Sequence, residues 1–275
     1  MAAYRYFRRV LARLGLQVVL KSFYSPIPDL AALPDSTWER RSELAGINFD
    51  LPRQLAFLEN QRQYLAELPS PAENPSYPPV DSAVLHAIVR GLRPRRIVEL
   101  GSGHSTLVAA AAALANERKD APVDYRAYDP FPKVVGPSLA GLTELVPTRA
   151  EDLPLALFEE LGENDILLVD TTHTVKTGGD VNHIVLDVLP RLREGVLVHF
   201  HDIFLPWEYP RVWAEDYGLY WAEQYLLQAF LSMNDGFEVV CALYAISREQ
   251  PDRLRELVPA WREGSVPGAF WIRRS

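Results

Sequence analysis

The stretch Ile97-Val98-Glu99-Leu100-Gly101-Ser102-Gly103 decides how this chain folds. Its apolar residues are typical of a buried strand, and the alanine-rich stretch 106–116 that follows is a strong helix former. Between them, two glycines allow a sharp turn and a close approach of the backbone to a ligand, and the helix start leaves N–H groups unpaired. The sequence therefore predicts a strand, a tight turn and a helix, which together hold nucleotide-like cofactors at the carboxyl edge of α/β sheets.

The same alternation of strand and helix continues along the chain. Strands are predicted near 95–100, 123–129, 144–148, 165–170 and 196–201, with helical segments between them. Two later apolar runs, 237–245 and 269–273, can complete the sheet. Because strands joined by helices run parallel and are covered on both faces, the pattern predicts an α/β fold with a doubly wound, seven-stranded, mostly parallel sheet.

A proline-rich connection divides the chain. Proline makes up five of the eleven residues 69–79, which indicates a stiff connection. We place the boundary there, between a helical extension over residues 1–79 and the main domain over residues 80–275. The first helix of the main domain is predicted to begin at a cap formed by Asp81 or Ser82.

Two helices are predicted in the extension, and one of them runs over 51–68. The other, at the N-terminus, is amphipathic, because apolar and basic residues fall on opposite sides of a helical projection. The apolar side consists of Tyr4, Phe7, Val10, Leu11, Leu14 and Val18, and the basic side of Arg5, Arg8, Arg9 and Arg13. We expect this helix to pack on its own domain or on a partner subunit, and the alternative is an anionic membrane surface.

Charge and composition narrow the function classes. The chain of 275 residues has a net charge of −8. Residues 1–21 hold five basic residues and no acidic one. The rest of the chain therefore has 23 basic and 36 acidic residues, a net charge of −13. An acidic body argues against nucleic-acid binding. No apolar stretch is long enough to span a membrane, and arginines interrupt the N-terminus where a signal peptide needs an uncharged core. Cys241 is the single cysteine, so no disulfide can form within the chain, and it lies in the apolar run 237–245. We therefore expect a cytoplasmic protein with a buried thiol.

Acidic residues at successive strand ends distinguish between cofactors. A dinucleotide fingerprint needs Gly or Ala three residues after the second glycine, where this chain has Thr106. At the end of the second strand, Asp129 can accept both hydroxyls of a ribose. After the third strand, Asp152 can accept from an adenine amino group or cap the helix that follows. The alternatives left open are an NAD-linked oxidoreductase and a glycine turn that only joins a strand to a helix.

Residues from about 81 to 202 resemble a class I S-adenosylmethionine-dependent methyltransferase, because an E-x-G-x-G turn and the later acids recur in that order. The resemblance implies a Rossmann-like fold and S-adenosyl-L-methionine as the cofactor. It implies that the two glycines contact the methionine portion, Asp129 the ribose and Asp152 the adenine. The implied cofactor site consists of Glu99, Gly101, Ser102, Gly103, Asp129 and Asp152.

A second group of polar residues falls at the ends of the fourth and fifth strands. Asp170 and His173 follow one strand, and His201 and Asp202 follow the other. A metal can lower the pKa of an acceptor hydroxyl, and an imidazole can take its proton at neutral pH. We expect Asp170, His201 and Asp202 to hold a divalent metal and His173 to act as the base. The alternative is that His199 and His201 are inner-strand residues, that Asp202 caps a loop and that His173 only supports Asp170.

The D-x-x-H arrangement with a paired strand-end acid resembles the metal-assisted sugar O-methyltransferases of the macrocin type. Those relatives generally carry an acid where this chain has His201. Magnesium prefers oxygen ligands, so an imidazole favours manganese, iron or zinc, or means that no metal binds. The site requires the fifth strand to end at about His201, since strict alternation would place Asp202 on the opposite face.

An aromatic segment follows the fifth strand. Nine aromatic residues lie between positions 204 and 230, which suits stacking on a sugar or an aromatic acceptor. Trp207 and Tyr209 lie beside prolines and are the candidate acceptor contacts. The sequence thus predicts O-methylation of a small hydroxylated acceptor, such as a sugar or glycoside. The alternative is a non-catalytic protein that keeps the cofactor fold and binds a glycan, a membrane surface or a partner protein.

Overall fold

Strands and helices alternate through most of the chain. The computed structural model describes residues 2–16, 22–68 and 76–275. The strands are β1 (Arg96–Leu100), β2 (Asp124–Tyr128), β3 (Glu144–Val146), β4 (Ile166–Val169), β5 (Leu197–Phe200), β6 (Phe237–Ala242) and β7 (Phe270–Arg274). The α-helices are α1 (Ala2–Arg13), α2 (Ser36–Glu39), α3 (Leu51–Glu59), α4 (Arg62–Leu65), α5 (Pro79–Leu92), α6 (His104–Glu117), α7 (Leu155–Glu159), α8 (Asp180–His183), α9 (Arg211–Glu215), α10 (Glu223–Leu231), α11 (Leu243–Glu249) and α12 (Pro251–Leu257). Short 3-10 turns form at Leu30–Ala32, Ala150–Asp152 and Leu189–Arg191, and a π turn forms at Ile184–Val188.

The seven strands form one sheet in the order β3-β2-β1-β4-β5-β7-β6. Strands β1 to β5 are parallel, and β7 runs antiparallel to both β5 and β6. This confirms the predicted seven-stranded, mostly parallel α/β sheet. The chain moves outward from β1 to β3 and then places β4 on the other side of β1. Ligands bind open α/β sheets at the carboxyl ends of the strands beside such a reversal of strand order.

Apolar side chains cover both faces of the sheet. Neighbouring residues of a strand point to opposite faces, so Ile97 joins one buried cluster and Val98 the other. Helices α5 and α6 pack on the first face, and the helical segment 180–192 packs with α10 on the second. The sheet is therefore wound on both faces, as predicted.

The second half of the N-terminal extension packs against the main domain. Two short helices, α3 and α4, replace the single helix predicted over 51–68, so that prediction was wrong. The break between them lets the buried Gln61 reach Gly91 of α5, where a Cβ atom would lie 1.7 Å from the Gln61 Oε1 atom. Leu58 and Leu65 are buried in the same core as α5. The domain boundary stays a prediction.

The N-terminal helix α1 ends at Arg13. Val18, which was predicted to complete its apolar side, lies outside the described residues, as do residues 69–75 of the proline-rich connection. Among the helices that the structure describes, none is long and apolar enough to cross a membrane.

Helix α5 begins at Pro79, and neither Asp81 nor Ser82 caps it, so the predicted cap was wrong. The buried Asp81 carboxylate instead accepts from the backbone N–H groups of Gly268 and Ala269 at 3.0 and 3.3 Å. These partners are 187 and 188 residues away along the chain, so no local pattern could indicate them.

An ion pair between the buried Arg90 and the exposed Glu67 holds the other end of α5. Arg90 donates to both carboxylate oxygens of Glu67, at 2.6 and 3.0 Å, and to the side-chain oxygen of Asn116 in α6. The hydrogen bond from Arg90 lowers the pKa of Glu67 to about 2. This ion pair ties the segment after α4 to both helices of the first face.

Candidate active site

The glycine turn after β1 touches the end of β4. Gly101 has a φ of +91°, and a Cβ atom on it would lie 1.9 Å from the backbone oxygen of Asp170. A positive φ and so close an approach both require glycine. Gly103 differs, because its φ is −173° and a Cβ atom on it would meet no other atom within 4 Å. The turn is therefore tightly packed at its first glycine and open at its second.

Glu99 holds this turn from inside the protein, where its side chain is fully buried. Its carboxylate accepts from Ser105 Oγ at 2.7 Å and from the Tyr125 hydroxyl at 2.5 Å. Burial raises the pKa of Glu99 to about 7, although the hydrogen bonds from Tyr125 and Ser105 act in the opposite direction. Glu99 thus links β1 to α6 and β2, and it does not line the cavity beside the turn.

A cavity of about 710 Å³ opens at the carboxyl edge of the sheet beside this turn. Within it, Ser102 Oγ donates to Asp129 Oδ2 at 2.6 Å, and Asp129 Oδ1 accepts from the backbone N–H of Phe131 at 2.7 Å. A cavity of this size, with an acid beside a glycine turn, fits a nucleoside cofactor. The lining consists of residues 101–102, 128–131, 149–151, 170–172, 176–178 and 180.

Two neighbouring acids after β3 have different environments. Asp152 is exposed and is not among the lining residues, whereas Glu151 lines the cavity. Both belong to the same short loop, and sequence alone gave no reason to prefer Glu151. The geometry therefore favours Glu151 over Asp152 as the acid that faces a bound cofactor.

Three side chains from the ends of β4 and β5 converge next to the cavity. Asp170, His173 and Asp202 each present one potential ligand atom, and these atoms lie within 4.8 Å of one another. His173 Nε2 lies 3.3 Å from Asp170 Oδ1 and 3.8 Å from Asp202 Oδ2. Asp170 also lines the cavity, so the cavity and this cluster share a residue. The metal ligands predicted from sequence were Asp170, His201 and Asp202. In this cluster His173 takes the place of His201.

His201 also contacts the two carboxylates. Its Nδ1 lies 3.4 Å from Asp202 Oδ2 and 3.7 Å from Asp170 Oδ2, and its Nε2 lies 3.8 Å from Asp81 Oδ2. Burial acts to lower the pKa of His201, but the charges of Asp202 and Asp170 raise it well above its ordinary value. For His199, burial and the charge of His201 lower the pKa to about 3. His201 is therefore a cation beside the cluster, and His199 is a neutral ring.

Contacts on several sides hold the ring of His173. Its Nδ1 lies 2.8 Å from Glu223 Oε2, its Nε2 faces Asp170, and the Trp221 ring lies against it with centroids 4.2 Å apart. Its backbone oxygen accepts from the N–H groups of Ala222 and Glu223 at 3.0 and 3.2 Å. Sequence reasoning missed Glu223, which lies 50 residues after His173 and carries no local signal of this contact.

The pKa of His173 decides what this ring can do. Burial acts to lower it, but the hydrogen bonds with Asp170 and Glu223 and their charges raise it to about 10. Burial acts to raise the pKa of Asp170, but the charge of His201 and the hydrogen bond with His173 hold it below its usual range. At neutral pH both ring nitrogens of His173 therefore carry a proton. In this state His173 donates hydrogen bonds and cannot serve directly as a base.

The predicted acceptor residues differ in what they can contact. Tyr209 is buried, and its hydroxyl accepts from a backbone N–H at 3.0 Å. Trp207 lines a separate cleft of about 250 Å³, and Arg41 and Arg248 lie over its ring. The aromatic side chain in contact with His173 is the partly exposed Trp221. A ring beside the cluster is thus present, but not at either predicted position.

Part of the chain is similar to a known protein family. Residues 98–203 match the family model described as a methyltransferase domain. An uncharacterized protein of Archaeoglobus fulgidus is 28% identical over 166 residues, which cover 52% of this chain and 73% of that protein. A solved structure described as "cmcI-N160 SAH" is 20% identical, with 70% of this chain and 76% of that chain covered and a TM-score of 0.40. The family match spans the strand ends that build the cavity and the cluster, and it supports methyl transfer as the class of reaction.

Proposed function

We propose that this protein is an S-adenosylmethionine-dependent O-methyltransferase that acts on a hydroxyl group of a small acceptor, such as a sugar or glycoside. The observation that carries the proposal is the position of Asp170. Its side chain belongs to the cluster with His173 and Asp202, and it also lines the cavity beside the glycine turn. A cofactor in the cavity and an acceptor at the cluster would meet at this residue, and transfer between two bound reactants requires such proximity.

The cavity offers a suitable group for each part of the cofactor. Asp129 presents a carboxylate beside the turn, which suits the two ribose hydroxyls. Glu151 lines the cavity and can accept from an adenine amino group. Next to the lining residue Ser102, the open side of Gly103 leaves space for the methionine portion. When bound, S-adenosylmethionine supplies a methyl group on a positively charged sulfur.

The cluster can bind and polarise an acceptor hydroxyl. The carboxylates of Asp170 and Asp202 accept hydrogen bonds, and the protonated rings of His173 and His201 offset their charge. A cation next to the acceptor oxygen stabilises the negative charge that develops there as its proton passes to a carboxylate of the cluster. His173 therefore contributes as a hydrogen-bond donor at neutral pH, and it acts as a base only after it has lost one ring proton.

The same residues form a donor set for a divalent cation. Asp170, His173 and Asp202 would hold it, with His173 Nε2 unprotonated, and an imidazole donor favours manganese, iron or zinc over magnesium. Such an ion would lower the pKa of a bound hydroxyl. Chelation tests this point: loss of activity that one divalent ion restores supports the metal, and full activity in chelator contradicts it.

A methyl-transfer assay tests the proposed function. S-adenosylmethionine with a radioactive methyl group is incubated with the protein and a panel of nucleotide sugars, glycosides and phenols. We expect label on the oxygen of an acceptor, loss of transfer in His173→Ala, and normal transfer in the control variant His183→Ala. Transfer only to nitrogen or carbon would contradict O-methylation. Cofactor binding without transfer to any acceptor would favour the non-catalytic alternative.

A further inference from the structure

Three apolar side chains of helix α1 and the turn after it are exposed, among those that the structure describes. Phe7, Val10 and Leu14 follow one another at helical spacing and are 55%, 38% and 70% exposed. Among the residues that the structure describes, the backbone hydrogen bonds after the helix stay inside this segment, as between Leu16 N–H and the Leu11 oxygen. The body of the protein therefore does not bury these three side chains.

Charge distinguishes this segment from the rest of the chain. Residues 1–21 hold five basic residues and no acidic one, while the remaining 23 basic and 36 acidic residues give −13. Arg9 and Arg13 are exposed, on the side of the helix opposite to Phe7 and Leu14. An anionic surface attracts this segment and repels the acidic body, so the segment alone would make the contact.

Exposed apolar residues continue beyond the helix. Phe23 and Tyr24 are 96% and 90% exposed, and their rings meet edge to face with centroids 5.4 Å apart. Ile27 follows them and is also exposed. Aromatic side chains are enriched at the headgroup level of membranes. An apolar series spread over a helix and a following loop fits a fluid lipid surface better than a shaped groove on a protein.

We propose that α1 and the stretch Phe23–Ile27 bind the surface of an anionic phospholipid membrane. The apolar side chains enter the headgroup region, and the arginines on the opposite side contact lipid phosphates. The contact is peripheral, since no helix among those described is apolar enough to span a membrane. This proposal does not depend on the reaction that the protein catalyses.

The extension joins the body beside the candidate active site. Asp35 forms an ion pair with Arg211 at 2.7 Å, and the backbone N–H of Ser42 donates to the Pro206 oxygen at 2.7 Å. Arg211 and Pro206 belong to the same aromatic segment as Trp221, which contacts His173. The chain therefore runs from the membrane-binding segment to the part of the protein that borders the cluster.

Vesicle sedimentation tests the proposal. The 275-residue protein is mixed with vesicles of phosphatidylcholine alone or of phosphatidylcholine with phosphatidylglycerol. We expect binding only to the second kind, with a steep loss of binding as salt is added. The double substitution Arg9→Glu with Arg13→Glu should lower the partition coefficient about tenfold or more. Phe7→Glu with Leu14→Glu should abolish binding.

The control is Val266→Glu, which introduces the same charge at another exposed apolar residue and should leave binding unchanged. Each variant is compared with the wild type by circular dichroism and by S-adenosylmethionine binding, so that misfolding is not mistaken for lost membrane contact. Equal binding to neutral vesicles, or binding that survives Phe7→Glu with Leu14→Glu, would overturn the proposal. A different result is a wild-type dimer that does not bind vesicles and that these substitutions dissociate. That result would overturn the proposal and assign the surface to contact with a second copy of this chain.

Discussion

Replacing the first glycine of the turn measures how tightly β1 and β4 are packed. Gly101→Ala places a Cβ atom 1.9 Å from the Asp170 backbone oxygen, where real contacts stay above 3.0 Å, so the two strand ends must separate by about 1 Å. A positive φ costs alanine roughly 1–2 kcal/mol. Overpacking a filled site adds roughly 1–3 kcal/mol. We therefore expect the free energy of unfolding to fall by about 2–5 kcal/mol.

Gly103→Ala is the matched control in the same turn. Its backbone is extended and its Cβ atom meets nothing within 4 Å, so the free energy of unfolding should change by less than about 1 kcal/mol. Urea denaturation followed by circular dichroism measures both variants. We expect Gly103→Ala to weaken S-adenosylmethionine binding, because the added methyl group takes space beside the cavity. Similar stability losses in the two variants, or a fully stable Gly101→Ala, would refute the packing argument.

Three further predictions concern protonation and the acceptor. In metal-free protein, Glu223→Gln removes a charge that raises the pKa of His173. The pKa measured by NMR titration should therefore fall by about 1–3 units. An unchanged pKa would contradict the pairing of His173 with Glu223. The pKa of Glu67 is lowered from 4.5 to about 2 in the folded protein, so its stabilising contribution is present above pH 4.5 and is lost as the pH falls towards 2. The difference in the free energy of unfolding between the wild type and Glu67→Gln should therefore shrink as the pH falls through that range. A difference that stays constant with pH would argue against the ion pair of Glu67 with Arg90. Trp221→Ala should raise the KM for the acceptor without changing cofactor affinity, and Trp207→Ala should change neither; the reverse result would move the acceptor to the Trp207 cleft.

The strands were predictable because each has a clear local pattern. The central parallel strands are short, mostly apolar runs, such as Ile166–Val169, that are followed by a polar or glycine residue. Their observed limits differ from the predicted ones by only one or two residues. The alternation with helices then implied the parallel topology, since parallel strands need long crossover connections.

Helix limits depended on contacts that are distant in sequence. The break between α3 and α4 occurs where Gln61 packs against Gly91, thirty residues later in the chain. Asp81 was predicted as a helix cap because of its residue type, but its carboxylate binds the backbone near the last strand. Such contacts exist only after the whole domain has folded.

In the candidate site too, residues at strand ends could be predicted from sequence, whereas contacts between residues far apart in the chain could not. Asp170, His173 and Asp202 could be grouped from sequence, because parallel strands end at the same edge of a sheet. The partner of His173, Glu223, could not be found in this way, because it comes from a helix beyond the fifth strand. The protonation of His173 was also hidden, since it depends on burial and on both carboxylates together.

Calorimetric titration with S-adenosylmethionine and, separately, with NAD addresses the identity of the cofactor, on which the proposed reaction depends. We predict saturable binding of S-adenosylmethionine and none of NAD. Asp129→Ala should weaken that binding, because its carboxylate lines the cavity, while the exposed Asp152→Ala should bind as the wild type does. Absence of S-adenosylmethionine binding, or binding of NAD in its place, would contradict the proposed methyltransferase function.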